Sequence, residues 1–297
     1  HYSMDKAINI LGIGTDNLLK IPTNESGEMV TEELETTLRK VLDTGGLPFF
    51  VSATAGTTVR GAYDPIPPLL ELRQKYGFWL HVDGAWGGAA IMSDRLREKY
   101  LTGLEETDSF TCDFHKMLGS ALMCNFLLIN NSKTNFSKVI SGGDGSYLFR
   151  DTEDDTVPDL GNLSLQCGRR VDALKWFLDW KYYGQEGFGD RIEKYLELCE
   201  FAEQIISETP KLELVAPRTS FNVCFRYVPS SGDANTFNEK LRTDLYTEGQ
   251  ALVGLAYIGN TLTMRLLIVN QSVEQPHIRT FFDRVLEKGN HMESESA

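Results

Sequence analysis

Three short runs of this chain combine residue types that could do chemistry. His81-Val82-Asp83 ends an apolar segment with a carboxylate, Asp113-Phe114-His115-Lys116 ends another with an amine, and Ala55-Gly56-Thr57-Thr58 turns off a third with two hydroxyls. A carboxylate at the end of a buried strand needs a cationic or hydrogen-bonding partner, because a buried charge alone is costly. A lysine in a crevice can attack a carbonyl carbon and form an imine. At adjacent strand ends these groups meet the needs of pyridoxal phosphate. The lysine would bind the aldehyde, the acid would keep the ring nitrogen protonated, and the donors would fix the ring oxygen or the phosphate. Singly, each run has a commoner reading. A His-Lys pair after a strand is usually surface, a strand-terminal Asp usually caps a helix or turn, and Gly-Thr-Thr is commonly just a turn. It is the three in this order that are specific.

The elements that must position these groups follow from hydrophobic periodicity. Leu34, Leu38, Val41 and Leu42 share one face of a helix that stops at Gly45-Gly46. A strand over 48–53 precedes the Gly-Thr turn, and a helix around 69–76 ends at Gly77. The strand over 78–83 is apolar nearly throughout, as expected when both faces are covered. A helix near 95–100 and strands over 109–113 and 121–130 complete a β-α repetition. This predicts an α/β architecture with a mainly parallel, doubly covered sheet, whose ligands sit beyond the carboxyl ends of the strands. Residues 141–164, with Gly142, Gly143 and Gly145 followed by five acidic residues, read as a long loop and a candidate lid. A long helix follows, with Val171, Leu174, Phe177 and Leu178 on its apolar face.

After residue 175 the rhythm changes. Helices about 189–207 and 235–249 alternate with strands, and Phe221, Val223, Phe225 and Tyr227 alternate with polar or small residues. The division expected is a major domain over 1–175, a smaller α+β domain over 176–288 and a polar, disordered tail over 289–297. No apolar run reaches the ~20 residues that a membrane span needs. The net charge of -13 argues against nucleic acid or an anionic membrane as partner, yet it leaves room for a small anion beside a local arginine. Five scattered cysteines, Cys112, Cys124, Cys167, Cys199 and Cys224, with no CxxC pair, read as the reduced thiols of a cytoplasmic protein rather than a disulfide framework or a metal site. The N-terminus, His1-Tyr2-Ser3-Met4-Asp5, lacks the regions of a signal peptide and does not open with Met, so His1 reads as an internal residue.

Longer stretches carry a resemblance. HYSMDKA at 1–7, ATAGTTVRGAYDP at 53–65, HVDGAWGG at 81–88, DSFTCDFHKMLGSALMC at 108–124, SYLF at 146–149 and QCGRRVDALKWFLDWK at 166–181 resemble the group II pyridoxal-phosphate-dependent amino-acid decarboxylases. The likeness is strongest to the glutamate, cysteine-sulfinate and aspartate decarboxylases, and it runs from His1 to about residue 288. It implies the fold-type I (aspartate-aminotransferase-like) major domain with a smaller C-terminal domain, and a homodimer with shared active sites. The implied reaction is decarboxylation of a small anionic amino acid (glutamate, aspartate or cysteine sulfinate) to the amine.

By that resemblance Lys116 matches the lysine that binds the cofactor, Asp83 the partner of its ring nitrogen and Ala85 the small residue under the ring. Thr58 matches a hydroxyl near the phenolic oxygen, and His115 a histidine beside the phosphate or the lysine. His1 matches the imidazole stacked on the open face of the ring, Tyr147 a mobile-loop tyrosine that returns a proton to carbon, and Arg265 the arginine that pairs with the substrate α-carboxylate. From the residues alone, His1 is also read as a frayed terminus and Tyr147 as an anchor for its loop. Arg265, in the apolar run 261–269, either snorkels at an edge or pairs with an anion. Asp5, Asp64, Arg169 and Arg170 read as structural polar contacts.

The chain departs from the family pattern at Phe114, where Pro is usual, and at Asp113, where Asn is frequent. An Asp on the phosphate side would be repelled unless it points away or is paired. That position also resembles diaminobutyrate-type members, which leaves a diaminobutyrate decarboxylase, or a related carbon–carbon lyase, as an alternative. Gly84 replaces a common Ala. Family chains also carry a long segment before the HYS run, so a further alternative is a fragment or subunit that works only with a partner chain.

Overall fold

The computed structural model describes residues 1–130, 166 and 168–296, so Tyr147 and the acidic loop over 141–164 lie outside the described residues. The first sheet has the order β1 (Phe50–Thr54), β2 (Trp79–Gly84), β3 (Ser109–Asp113), β4 (Asn125–Ile129). β1, β2 and β3 are parallel and β4 is antiparallel to β3. Helices α1 (Tyr2–Ile10) and α2 (Thr31–Asp43) precede this sheet. Helix α3 (Ile66–Tyr76) makes the first crossover, with proline in its first turn and a left-handed Gly77 ending it. The second crossover is the 3-10 segment Gly87–Met92 followed by α4 (Asp94–Tyr100), whose cap Ser93 accepts from the Leu96 amide.

Strand alternation divides the sheet into two chemically different faces. Val51, Ala53, Leu80, Val82, Phe110 and Cys112 point into the core. The registers Ser52↔His81, Thr54↔Asp83, His81↔Ser109 and Asp83↔Thr111 put seven polar residues, Asp113 included, on the other face. Phe50 and Leu127 lie on that face with 44% and 56% exposure. Within this chain, then, one face of the sheet is covered by apolar packing and the other is polar and partly open. On that face His81 is covered by neighbouring strands, with Ser109 Oγ 2.8 Å from its Nδ1 and the Phe50 ring stacked at 5.9 Å. At the start of β3, Asp108 is 3% exposed and receives both the Arg73 guanidinium at 2.6 Å and the Leu80 amide at 2.8 Å. Breaking such a buried pair costs about 3–5 kcal/mol, so it pins the β2/β3 register on which the site depends.

Helix α5 (Ala173–Glu208) carries the chain onward, bent at Gly184 (φ 64°, ψ -177°). The position 175/176 falls inside this helix, not in a linker. Val171, Leu174, Phe177 and Leu178, read as the buried face, are 73%, 51%, 53% and 58% exposed. The residues of this helix that pack on the core instead include Trp176, Phe188, Ile192, Tyr195 and Leu196.

The second sheet is antiparallel throughout, in the order β5 (Leu212–Leu214), β6 (Asn222–Tyr227), β8 (Thr261–Leu267), β7 (Gly254–Ile258). Helices α5, α6 (Ala234–Thr247) and α7 (Gln275–Ser296) pack with it. A disordered tail from Gly289 is corrected, since α7 continues to Ser296. Its last turns are docked: Met292 is 5% exposed, and Glu293 receives Lys211 at 2.8 Å and the Tyr227 hydroxyl at 3.0 Å. Gly289 lets the helix approach, because a Cβ there would lie 2.4 Å from the Tyr227 ring. Lys211 and Tyr227 are remote in sequence, which is why a polar tail looked unattached. Among the described residues no helix is long and apolar enough to cross a membrane.

Candidate active site

Asp83 and the Asp113–Lys116 turn emerge from the carboxyl ends of adjacent parallel strands, which lie about 4.8 Å apart. The Asp83 side chain accepts from the Ala85 amide at 3.1 Å, a local bond that turns the chain sharply out of β2. Among the described residues no cation lies within ion-pair distance of it. Gly84 is fixed by packing: a Cβ there would lie 2.3 Å from the Phe110 ring and 2.9 Å from the Thr111 carbonyl oxygen. The common Ala at this position would displace the ring that supports the strand end.

Lys116 Nζ lies 2.8 Å from Asp113 Oδ2, with the two side chains 38% and 14% exposed. The carboxylate that would be repelled on the phosphate side is thus paired with the lysine. His115 turns inward, its Nδ1 2.8 Å from the Cys124 carbonyl oxygen and 3.1 Å from the Cys124 amide, tying the lysine turn to the start of β4. Phe114 sits beneath, 8% exposed, with ring centroids 4.0 Å from Trp176 and 4.5 Å from Phe126. Trp176 in turn meets Phe188 at 4.7 Å. Contacts of this kind add about 0.5–1.5 kcal/mol each beyond area burial, and they give the Phe that replaces Pro a structural role. Helix α5 also bonds the turn directly: Arg191 donates to the Leu118 carbonyl, Ser120 to Asp179, and Lys175 to the Leu122 carbonyl at 2.9 Å.

The Gly-Thr turn closes against the Asp83 turn. Ala55 N donates to Asp83 O at 2.8 Å and Gly87 N to Ala55 O at 3.0 Å. Gly56 has φ 83°, and a Cβ on it would lie 2.5 Å from Gly87 Cα, so only glycine allows the approach. Thr58 is exposed beyond it. Its carbonyl oxygen accepts from Arg265, which reaches across from β8. The Arg265 Nε is buried without a partner, and among the described residues no carboxylate pairs with this guanidinium. Burial lowers its pKa, a pull partly offset by Cys224 beside it. A desolvated cation without a counter-ion is a place for an anion.

His1 is exposed, and its contacts lie within the start of α1. Its ring caps α1 through the Ser3 amide at 3.3 Å and leans on Tyr2 at a centroid distance of 4.5 Å. Asp64 is structural as read, accepting from Met29 N at 2.6 Å and Thr54 N at 2.7 Å. Among the described residues no group of three or more His, Cys, Asp or Glu could hold a metal ion. The sequence reading missed His81, Trp86 and Asn222 as site supports. His81 and Asn222 are polar in otherwise apolar runs, a signal that counts only once the run is known to be buried, and Trp86 carries no such signal.

His81 shares the face of Asp83 and is 8% exposed. Trp79 Nε1 donates to Ser109 Oγ at 2.8 Å, and the same hydroxyl lies 2.8 Å from His81 Nδ1. Burial holds the imidazole below its usual pKa despite the attraction of Asp83. The unfolded chain, titrating near 6.5, therefore takes up this proton more readily than the folded one. Its contribution to stability is complete above pH 6.5 and is lost as the pH falls through the depressed folded value. Melting curves between pH 8 and pH 5 should show His81→Gln losing less stability on acidification than the parent. Parallel pH profiles for the two proteins would refute the assignment.

The arrangement fits pyridoxal phosphate on two observations: a strand-end carboxylate, Asp83, that no cation among the described residues pairs, and a lysine, Lys116, at the end of the adjacent strand. Comparison with known proteins agrees. The pyridoxal-dependent decarboxylase conserved domain matches residues 1–228. The chain is 41% identical to an L-aspartate decarboxylase of Metarhizium robertsii over 244 residues, 82% of this chain and 48% of that one. It is 40% identical to human cysteine sulfinic acid decarboxylase over 232 residues, 78% of this chain and 47% of that one. Among solved structures, mouse CSAD superposes with TM-score 0.88 at 30% identity, covering 97% of this chain and 62% of that one. Catharanthus roseus tryptophan decarboxylase in complex with L-tryptophan superposes with TM-score 0.87 at 27% identity, covering 98% and 60%. The chain spans about half the length of the curated relatives it matches. With a domain match over most of its length and strand ends that fit the cofactor, the chain belongs to the pyridoxal-dependent decarboxylase family.

Proposed function

We propose that this chain carries the cofactor site of an enzyme that decarboxylates an acidic amino acid (aspartate, glutamate or cysteine sulfinate) to the corresponding amine and carbon dioxide. The observation that carries the reading is the meeting of Asp83 and the Lys116 turn at adjacent strand ends, with the unpaired Arg265 guanidinium held against the Thr58 turn. When bound, pyridoxal phosphate supplies an aldehyde that condenses with amines and a protonated ring that accepts the electron pair left as carbon dioxide departs.

The residues of the chain do the rest. Lys116 Nζ is the amine that would hold the cofactor, and Asp113 orients it and can accept its proton at Oδ2. Asp83 would hold the proton on the ring nitrogen, using the oxygen that Ala85 N does not engage. Arg265 would bind the α-carboxylate and set the direction of the breaking bond. Thr58 and His115 border the same turns, while Ala85 keeps the space beside Asp83 small. Tyr147 is assigned the return of a proton to carbon by resemblance alone.

The acidic substrate class is supported by relatives named as aspartate and cysteine sulfinic acid decarboxylases. Assembly as a homodimer belongs to the same reading, supported by apolar side chains exposed around the lysine turn, Leu122 at 73% and Met123 at 65% among them.

The test is borohydride reduction of the protein after incubation with pyridoxal phosphate, followed by peptide mass mapping and a panel of amino-acid substrates. A single adduct on Lys116 and turnover confined to acidic amino acids are expected. An adduct on another lysine, or preference for an aromatic or cationic amino acid, would overturn the corresponding half of the proposal.

A further inference from the structure

Besides its own bonds from Gly61 N to Thr57 O and Ala62 N to Thr57 Oγ1, the Thr57–Gly61 turn is held by side chains of the second sheet and of the segment that leads into β6. Asn222 Nδ2 donates to the carbonyls of Val59 at 2.9 Å and Thr58 at 3.0 Å, with that of Thr57 at 3.4 Å. Thr219 Oγ1 donates to Arg60 O at 3.1 Å and Ser220 Oγ to Gly61 O at 2.6 Å. The Cys224 thiol lies 3.2 Å from Val59 O, and Arg265 shares the carbonyl of Thr58. Asn222 does one thing more. Its Oδ1 accepts from Trp86 Nε1 at 2.7 Å, and Trp86 directly follows Ala85 in the turn out of β2.

We infer that Asn222 is a positioning residue of the reaction, its one carboxamide fixing the Asp83–Trp86 turn and the Thr57–Val59 turn relative to each other and to Arg265. The inference rests on the cofactor reading above and extends it to a residue on the other sheet. Asn222 is 1% exposed, so neither arm can exchange its partner for water. An amide offers an acceptor and two donors on one rigid plane. Asp would lose the donors, and an apolar residue would leave the indole N–H and the turn carbonyls unpaired. The surroundings permit little adjustment, since a Cβ on Gly61 would lie 2.5 Å from Ser220 Oγ and 3.1 Å from Asn222 Oδ1. The acid proposed for the ring nitrogen and the arginine proposed for the substrate are thus held in one frame through Asn222.

A structural contribution alone would be matched by another buried asparagine, and Asn238 provides it. It is 0% exposed, and its carboxamide bonds Tyr227 N, Tyr227 O and Ala234 O, each at 2.8 Å, with no bond to either turn. Asn222→Ala and Asn238→Ala are compared as holoproteins by melting temperature, visible circular dichroism of bound pyridoxal phosphate, cofactor affinity, kcat and KM. Asn222→Ala is expected to lower kcat and weaken cofactor affinity about tenfold each and to change the dichroic band, because small displacements of reacting groups are amplified in rate. Asn238→Ala should lose comparable stability and move none of the cofactor readouts. Trp86→Phe deletes one arm while keeping a ring, and it should move the same readouts in the same direction by about two- to five-fold; this carries the comparison if Asn222→Ala does not fold. Cofactor band, affinity and kcat that stay at parental values, or shift only as far as in Asn238→Ala, overturn the inference and leave the cofactor reading standing. A parent protein that shows no cofactor band at all overturns both.

Discussion

Lys116→Ala is expected to reduce decarboxylation by roughly 10⁴-fold or more, because no other group in the turn can make the covalent bond to the cofactor. The fold should survive. Lys116 contributes one ion pair, to Asp113, from a side chain that is 38% exposed, and such pairs are worth at most about 1 kcal/mol. The turn itself is made by backbone bonds, Lys116 N to Asp113 O and Gly119 N to Lys116 O, both at 3.1 Å, and by Phe114 beneath it, none of which needs the amine. A melting temperature within a few degrees of the parent, together with loss of both turnover and the borohydride adduct, is the expected result. Lys116→Arg separates charge from nucleophilicity: it keeps a cation for Asp113 yet cannot form the imine, so it should be as inactive as alanine. Substantial turnover in either variant, or an adduct that persists on another lysine, would remove Lys116 from its role.

Much of this site could be read before the fold was known, because its parts lie at strand ends that the sequence marks by itself. The runs ending at Asp83 and Asp113 carry β-branched and aromatic residues bounded by turn signals, so the carboxylate and the lysine were legible together. What stayed hidden depends on distance in sequence. Asn222 is 136 residues from Trp86, and nothing local distinguishes it from a residue capping a strand. Arg265 was legible as an oddity in an apolar strand, but its anchor on the Thr58 carbonyl was not. Periodicity misled where its premise failed. The face Val171, Leu174, Phe177 and Leu178 is helical in spacing, yet in this chain the core contacts are made by Trp176 and Phe188 instead. The polar run after Gly289 was misread for the opposite reason: a helix can be docked through a few contacts such as Met292 and the Glu293–Lys211 pair while most of its side chains face water.

Asp83→Asn is expected to lower kcat by about 10²–10³-fold, the range seen when one preorganised electrostatic group is removed from a reacting centre. The substitution keeps the shape of the side chain and an oxygen to accept from Ala85 N, so the turn out of β2 should be preserved. It removes the negative charge, and with it the means of holding a proton on the ring nitrogen. The amide can donate only to an unprotonated nitrogen, which leaves the ring a poorer acceptor for the electron pair released with carbon dioxide. The cofactor attachment proposed for Lys116 and the substrate contact proposed for Arg265 use other atoms, so the borohydride adduct should persist and KM should change far less than kcat. Stability should also change little, because among the described residues Asp83 forms no ion pair that the substitution could break. A fall in kcat without loss of adduct or melting temperature places the effect in the chemical step. Parental kcat in Asp83→Asn would mean that the ring is not protonated through this residue, and the pairing of Asp83 with Lys116 as one active site would then be wrong.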